Sequence, residues 1–208
     1  NVNSAAGIAF EPIEYKIRGN NGPVVLIAHG TPGGHDQTIS HTSSYRVLTP
    51  SRPGYLRTPL SVGNTSLEQA VAFKELLDGL NVEKVIVAGI SGGGPSSMEF
   101  AAAFPERTLG LIALEAVSFS ENLSDEDAAG LEFSDRDTMF SLLSLHLFDD
   151  KTIAEYLLPN KNNQDRVLAD PKKIQSLKDL IWTIWPFSKR RDGFYNDYEQ
   201  FSDLSLPL

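Results

Sequence analysis

The stretch Gly89-Ile90-Ser91-Gly92-Gly93 puts a serine between glycines at the end of an apolar run, Val85-Ile86-Val87-Ala88. A G-x-S-x-G spacing between a strand and a helix is the setting of a serine nucleophile, the nucleophile elbow. The turn is so tight that its central residue is forced into a strained backbone conformation, and bulk two positions to either side would clash. Glycines at 89 and 93 remove that clash. The Ser91 hydroxyl then projects above the sheet edge, and the backbone N–H of Gly92 points into the same space. A glycine-rich strand–helix turn can also cradle a phosphate, or merely turn, so the motif alone leaves these chemistries open.

A second element decides between them. His29-Gly30-Thr31-Pro32-Gly33-Gly34 follows the apolar run Val24–Ala28. Acyl transfer needs two N–H donors converging on the tetrahedral oxyanion from different loops, and losing one costs about 3 kcal/mol of transition-state stabilisation. Gly92 supplies one donor, and the backbone N–H of Thr31 is the natural second. Pro32 has no N–H and stiffens the loop. His29 is expected to brace this oxyanion loop by hydrogen bonds rather than to act as the base.

In this order and spacing, HGTPGG, SRPGYLRTP (51–59) and GISGGGPS (89–96) resemble the α/β-hydrolase superfamily, and within it the lipase- and esterase-like members. The resemblance runs from about Phe10 to the end of the chain, and SKRRDGFYND (188–197) resembles the end of that group's helical cap. It implies a cap domain over the site, an acid after a late strand and a histidine after the last strand. The sequence departs from the family there. Its histidines are His29, His35, His41 and His146, and none lies beyond the cap. FSDLSLPL (201–208) resembles the cap exit, after which the family continues with two strands that carry the acid and the histidine. The C-terminal part of the core is therefore expected to be missing from this stretch, and the base to lie outside it, in a second chain among other possibilities. Some relatives place the acid after the strand that ends near Glu115, which makes Glu115 a candidate; burial there would demand a partner for its carboxylate. His146 shares an apolar helical stripe with Met139, Leu142 and Leu143, and His35 and His41 flank the oxyanion loop, facing solvent or substrate.

The elements that must position these residues alternate in type. Strands are expected at 10–18, 24–28, 45–49, 85–88 and 109–117, the last one buried. Thr65-Ser66-Leu67-Glu68 reads as a capping box opening a helix with a stripe of Leu67, Ala70, Val71, Leu77 and Leu80. A second helix spans 95–104. Buried strands alternating with helices predict an α/β fold, a mostly parallel sheet with helices on both faces. The link between Gln37 and Tyr45 is short for the helix usual in the family.

Beyond Ser118 the pattern turns helical, with acidic helix starts at 124–127 and 134–137 and a third start at Asp170-Pro171. That third helix carries Ile174, Leu177, Ile181, Ile184 and Trp185 before Pro186. The expected division is a core over 1–118, a helical cap insertion over 119–202 and a return towards missing core strands over 203–208. Trp182, Trp185, Phe187, Phe140 and Phe148 are expected to pack the cap; any that face Ser91 favour a hydrophobic acyl or alcohol group. Lys189-Arg190-Arg191 reads as a solvated basic turn, and Arg52 as the anchor of its loop.

Composition bounds the function. A chain of 208 residues with 41% hydrophobic content can bury one sizeable core. A net charge of −9 argues against a general nucleic-acid binder, and no run is long and apolar enough to span a bilayer. Without cysteine, disulfides, zinc–thiolate sites and a cysteine nucleophile are excluded within the stretch, which fits a reducing, cytoplasmic setting over a secreted one. The sequons at Asn64 and Asn122 read as chance tripeptides. The expected activity is metal-free and cofactor-free hydrolysis of a small ester, lactone or similar acyl substrate. Ser91 would be the nucleophile, with Thr31 and Gly92 holding the oxyanion. C–C bond hydrolysis and cofactor-free peroxidation are possible with the same triad, and a hydrolase-fold binding protein without turnover is the non-enzymatic alternative. A serine at this site argues against haloalkane dehalogenase or epoxide hydrolase chemistry, for which relatives use an aspartate.

Overall fold

The computed structural model describes residues 12–37, 44–120, 133–145 and 147–206. Five strands form one sheet: β1 (Tyr15–Arg18), β2 (Val24–Ala28), β3 (Arg46–Pro50), β4 (Val85–Ile90) and β5 (Thr108–Leu114). Their spatial order is β1-β3-β2-β4-β5. β1 runs antiparallel to β3 and every other pairing is parallel. Helix α1 (Ser66–Gly79) connects β3 to β4, and α2 (Gly94–Ala103) connects β4 to β5. Parallel neighbours need such crossovers, because a tight hairpin cannot reverse the chain twice.

The period-2 alternation of strands sorts the side chains onto two faces. Val24, Leu26, Ala28, Leu48, Val85 and Val87 meet Ala70, Phe73, Leu76 and Leu77 of α1 and Phe100 of α2 in the main core. Ile27, Val47 and Ala88 form a second cluster on the other face, with Val25, Tyr45 and Ile90 against it. The central strands β2 and β4 therefore read as unbroken apolar runs because both their faces are covered.

The capping box forms as expected: the Thr65 side chain accepts from the Glu68 N–H, and the Glu68 carboxylate accepts from the Thr65 N–H. The buried face of α1 is rotated from the expected stripe. Leu67 and Val71 are exposed, and Phe73 and Leu76, which the stripe omitted, are buried. The strand at 109–117 is shorter than expected and is not buried. Among the described residues β5 pairs with β4 alone, and Leu109, Leu111, Ile112 and Leu114 are exposed.

The chain divides into two compact units, one of residues 1–131 with 189–208 and one of residues 132–188. The second unit holds α3 (Asp135–Leu145), α4 (Asp150–Leu157), α5 (Lys161–Leu168) and α6 (Pro171–Trp182). Its helices start on side-chain caps: Ser134 Oγ accepts from Asp137 N–H, and Asp149, Asn160 and Asp170 accept from the amides of their first turns. Ile153, Ala154 and Ile174 form its core. Phe187 is buried and packs edge-on against Phe133, whereas Phe140, Phe148 and Trp185, expected to pack there too, are exposed. Helix α6 ends at Trp182, ahead of Ile184 and Trp185. Helix α7 (Arg191–Ser202) belongs to the first unit. The first residues of the expected opening strand, the helix start at 124–127, the sequon at Asn122, His41 and His146 lie outside the described residues. No described helix is long and apolar enough to cross a membrane.

Candidate active site

Strand β4 runs into Ser91, whose φ of +49° is left-handed, and a one-turn 3-10 helix (Ser91–Gly93) leads from it into α2. A side chain other than glycine in that region costs about 1–3 kcal/mol and persists only where its surroundings hold it. Here they do. The Ser91 carbonyl accepts from Val117 N–H at 3.0 Å and from Gly94 N–H. Ser97 Oγ donates to the Gly93 carbonyl at 2.9 Å. The flanking glycines are required by space: a Cβ on Gly89 would lie 2.7 Å from Ser97 Oγ, and one on Gly93 2.2 Å from the Ala28 carbonyl oxygen.

The loop after β2 faces this elbow. A Cβ on Gly30 would lie 3.2 Å from Ser91 Cβ and 3.8 Å from its Oγ. A Cβ on Gly92 would lie 2.1 Å from Thr31 Oγ1 and 3.0 Å from Phe201 Cζ. The Ser91 side chain therefore lies against Gly30, and the Thr31 side chain against Gly92. The three residues singled out in the sequence, Ser91, Thr31 and Gly92, come together at one place although 60 residues separate the loops in the chain. Gly92 stands in the first helical turn, where N–H groups lack an intrahelical acceptor.

His29 is 1% exposed, and both its ring nitrogens are occupied. Nδ1 lies 2.8 Å from the Gly30 carbonyl and Nε2 takes the Arg52 backbone N–H at 2.9 Å, which together select the tautomer protonated at Nδ1. Burial, with Arg52 nearby, holds its pKa well below the usual histidine value, so the ring is neutral. It packs edge-on against Tyr55. His29 braces the loop and has no nitrogen to offer a serine.

Arg52 and Asp197, 145 residues apart, form a buried ion pair beside Thr31. Arg52 Nη1 donates to Asp197 Oδ1 at 2.8 Å and Nη2 to Oδ2, and Oδ2 also takes the hydroxyls of Tyr55 and Thr31. Arg52 further donates to the His29 carbonyl at 2.9 Å and to Gln69 Oε1 at 3.3 Å. Burial works against the guanidinium's charge, but Asp197 and Tyr55 overcome it and raise the Arg52 pKa. Burial and the Asp197 charge push the Tyr55 phenol well above its ordinary value, keeping it a donor. Arg52 does anchor its loop. Asp197 was not singled out in the sequence, in which Arg52 carries no sign of its burial; once buried, a guanidinium requires a partner such as this carboxylate.

Three further expectations need correction or placing. Arg190 is not solvated: it is 1% exposed and paired with Asp36, because the segment around it docks on the SRPGY loop through Leu56 N–H to Lys189 O (2.6 Å) and Gly193 N–H to Gly54 O (2.9 Å). Glu115 is exposed among the described residues, and its φ is +49°. His35 is half-buried, with Nδ1 3.1 Å from Ser51 Oγ and 3.4 Å from Glu14 Oε2. Among the described residues no group of three or more histidine, aspartate and glutamate side chains could hold a metal ion.

Known proteins share this arrangement of elements. The chain is 34% identical over 119 residues to an uncharacterized hydrolase, YcgS, of Bacillus subtilis, covering 55% of this chain and 41% of that protein. It is 25% identical over 172 residues to a 2-hydroxy-6-oxo-6-phenylhexa-2,4-dienoate hydrolase of Burkholderia cepacia, covering 74% of this chain and 60% of that one. The chain thus spans about half the length of these curated relatives. Among solved structures, an alpha/beta hydrolase fold protein from Nakamurella multipartita superposes with a TM-score of 0.77 at 28% identity, over 95% of this chain and 73% of that one. With residues 23–148 matched by the alpha/beta hydrolase fold family, the chain belongs to that family.

Proposed function

We propose that this chain carries the nucleophile and the oxyanion-binding half of a serine hydrolase acting on a small ester, lactone or similar acyl compound. The observation that carries the reading is the left-handed Ser91 at the end of β4, packed against Gly30, with the Thr31 side chain packed against Gly92. Ser91 Oγ attacks the carbonyl carbon and its proton passes to an imidazole. The carbonyl oxygen becomes an oxyanion and accepts from the N–H groups of Thr31 and Gly92. Collapse expels the alcohol, which takes the proton back, and water then releases the acyl group by the same steps in reverse. This chemistry needs no metal or cofactor. The base is an imidazole other than His29, whose two ring nitrogens are both engaged.

Relatives named as 2-hydroxy-6-oxodienoate hydrolases favour a second reading, hydrolysis of a C–C bond next to a ketone at the same serine. Both readings are tested by treating the full-length protein with a fluorophosphonate and mapping the modified peptide. Labelling at Ser91, abolished in Ser91→Ala, supports a hydrolase. Lack of labelling in a folded protein would favour a binding protein without turnover. Turnover of a p-nitrophenyl ester against that of a 2-hydroxy-6-oxodienoate then separates the two substrate classes.

A further inference from the structure

The Thr31 side chain is gripped from the far side of the site. Its hydroxyl donates to Asp197 and accepts from Arg52 Nη2 at 3.1 Å. Asp197 is 2% exposed and stands on α7, 166 residues beyond Thr31 in the chain. Both of its oxygens are fixed by the two-pronged contact with Arg52, and a carboxylate so held is a stiff anchor. The same helix reaches the elbow again through Phe201, which abuts Gly92. It also reaches the entrance of α1, where Asn196 Nδ2 donates to the Asn64 carbonyl at 2.8 Å. One helix thus touches the side chain of one oxyanion donor and the backbone of the other.

We propose that Asp197 is a positioning residue: through the Thr31 hydroxyl it sets the direction of the Thr31 N–H, so that docking of α7 fixes the oxyanion geometry. The proposal rests on the reading of Ser91 as nucleophile. A donor displaced by about 1 Å can cost on the order of a hundred-fold in rate, so a single hydroxyl link is enough to matter. A merely structural ion pair would hold α7 in place without that link. Thr31→Val separates the two roles, because it removes the link and leaves Arg52, Tyr55 and Asp197 bonded to one another.

The test is the rate of Ser91 phosphonylation against fluorophosphonate concentration in the full-length protein, alongside a thermal melt. Thr31→Val is expected to lower the maximal rate on the order of ten- to a hundred-fold, with the half-saturating concentration and the melt little changed. Thr31→Ser, which keeps the hydroxyl, restores the rate. Asp197→Asn, which leaves Thr31 untouched, also lowers the maximal rate rather than the apparent affinity. Wild-type rates in Thr31→Val, or a Thr31→Ser protein as slow as Thr31→Val, would overturn the proposal while the nucleophile reading stands. A wild-type protein that does not label at all removes that reading and this proposal with it.

Discussion

Arg52 donates two hydrogen bonds to His29, from its backbone N–H to Nε2 and from Nε to the carbonyl, each at 2.9 Å. The end of β2 and the loop after β3 are therefore locked together beside Thr31, to whose hydroxyl Arg52 also donates. The lock depends on a neutral imidazole, because a protonated ring has no lone pair for the Arg52 amide.

Acid should loosen this lock. The His29 pKa is lowered in the folded protein from the ordinary value of 6.5. Between the two values the unfolded chain binds the extra proton, so stability is full above about pH 6.5 and is lost as pH falls towards the folded value, by up to about 1.4 kcal/mol per pH unit. Urea denaturation between pH 7.5 and 5 should show this slope, reduced in His29→Gln. Equal slopes in the two proteins would show that His29 is not the group responsible.

The Arg52–Asp197 pair should be costly to halve and cheap to replace whole. Arg52→Met or Asp197→Leu alone leaves a buried charge unpaired and should lower the unfolding free energy by about 3–5 kcal/mol. The double variant should recover much of that loss, because both charges leave the core together. A double-mutant cycle by chemical denaturation measures the difference, and additive losses would contradict a direct pairing.

Gly92→Ala would put a methyl group within 2.1 Å of Thr31 Oγ1 and drive the two loops apart. Covalent labelling of Ser91 should fall on the order of a hundred-fold, the scale of losing an oxyanion donor. Met98→Leu, a volume-conserving change in α2, should leave labelling intact in the same assay.

The elbow was legible because its chemistry is local. Glycines at 89 and 93 answer to atoms within a few residues of Ser91 or on the adjacent strand, and Gly30 and Thr31 follow the neighbouring strand directly. The capping box at Thr65 and Glu68 was legible for the same reason. Asp197 was not, since its role depends on a partner 145 residues away and no spacing within DGFYND announces it. Arg190 misled in a similar manner: three cations in a row suggest a wet surface, yet the middle one turns inward to Asp36. The strand at 109–117 misled by composition. Leu-Gly-Leu-Ile-Ala-Leu reads as buried, but burial depends on what lies beside a strand, and β5 has a neighbour on one side among the described residues.

The most direct measurement is a crystal structure of the full-length protein carrying a phosphonate on Ser91. An adduct on Ser91 Oγ is expected, with its phosphoryl oxygen within about 3.1 Å of the backbone nitrogens of both Thr31 and Gly92. A phosphonate bonded elsewhere, or an oxygen turned away from those two amides, would contradict the proposed chemistry.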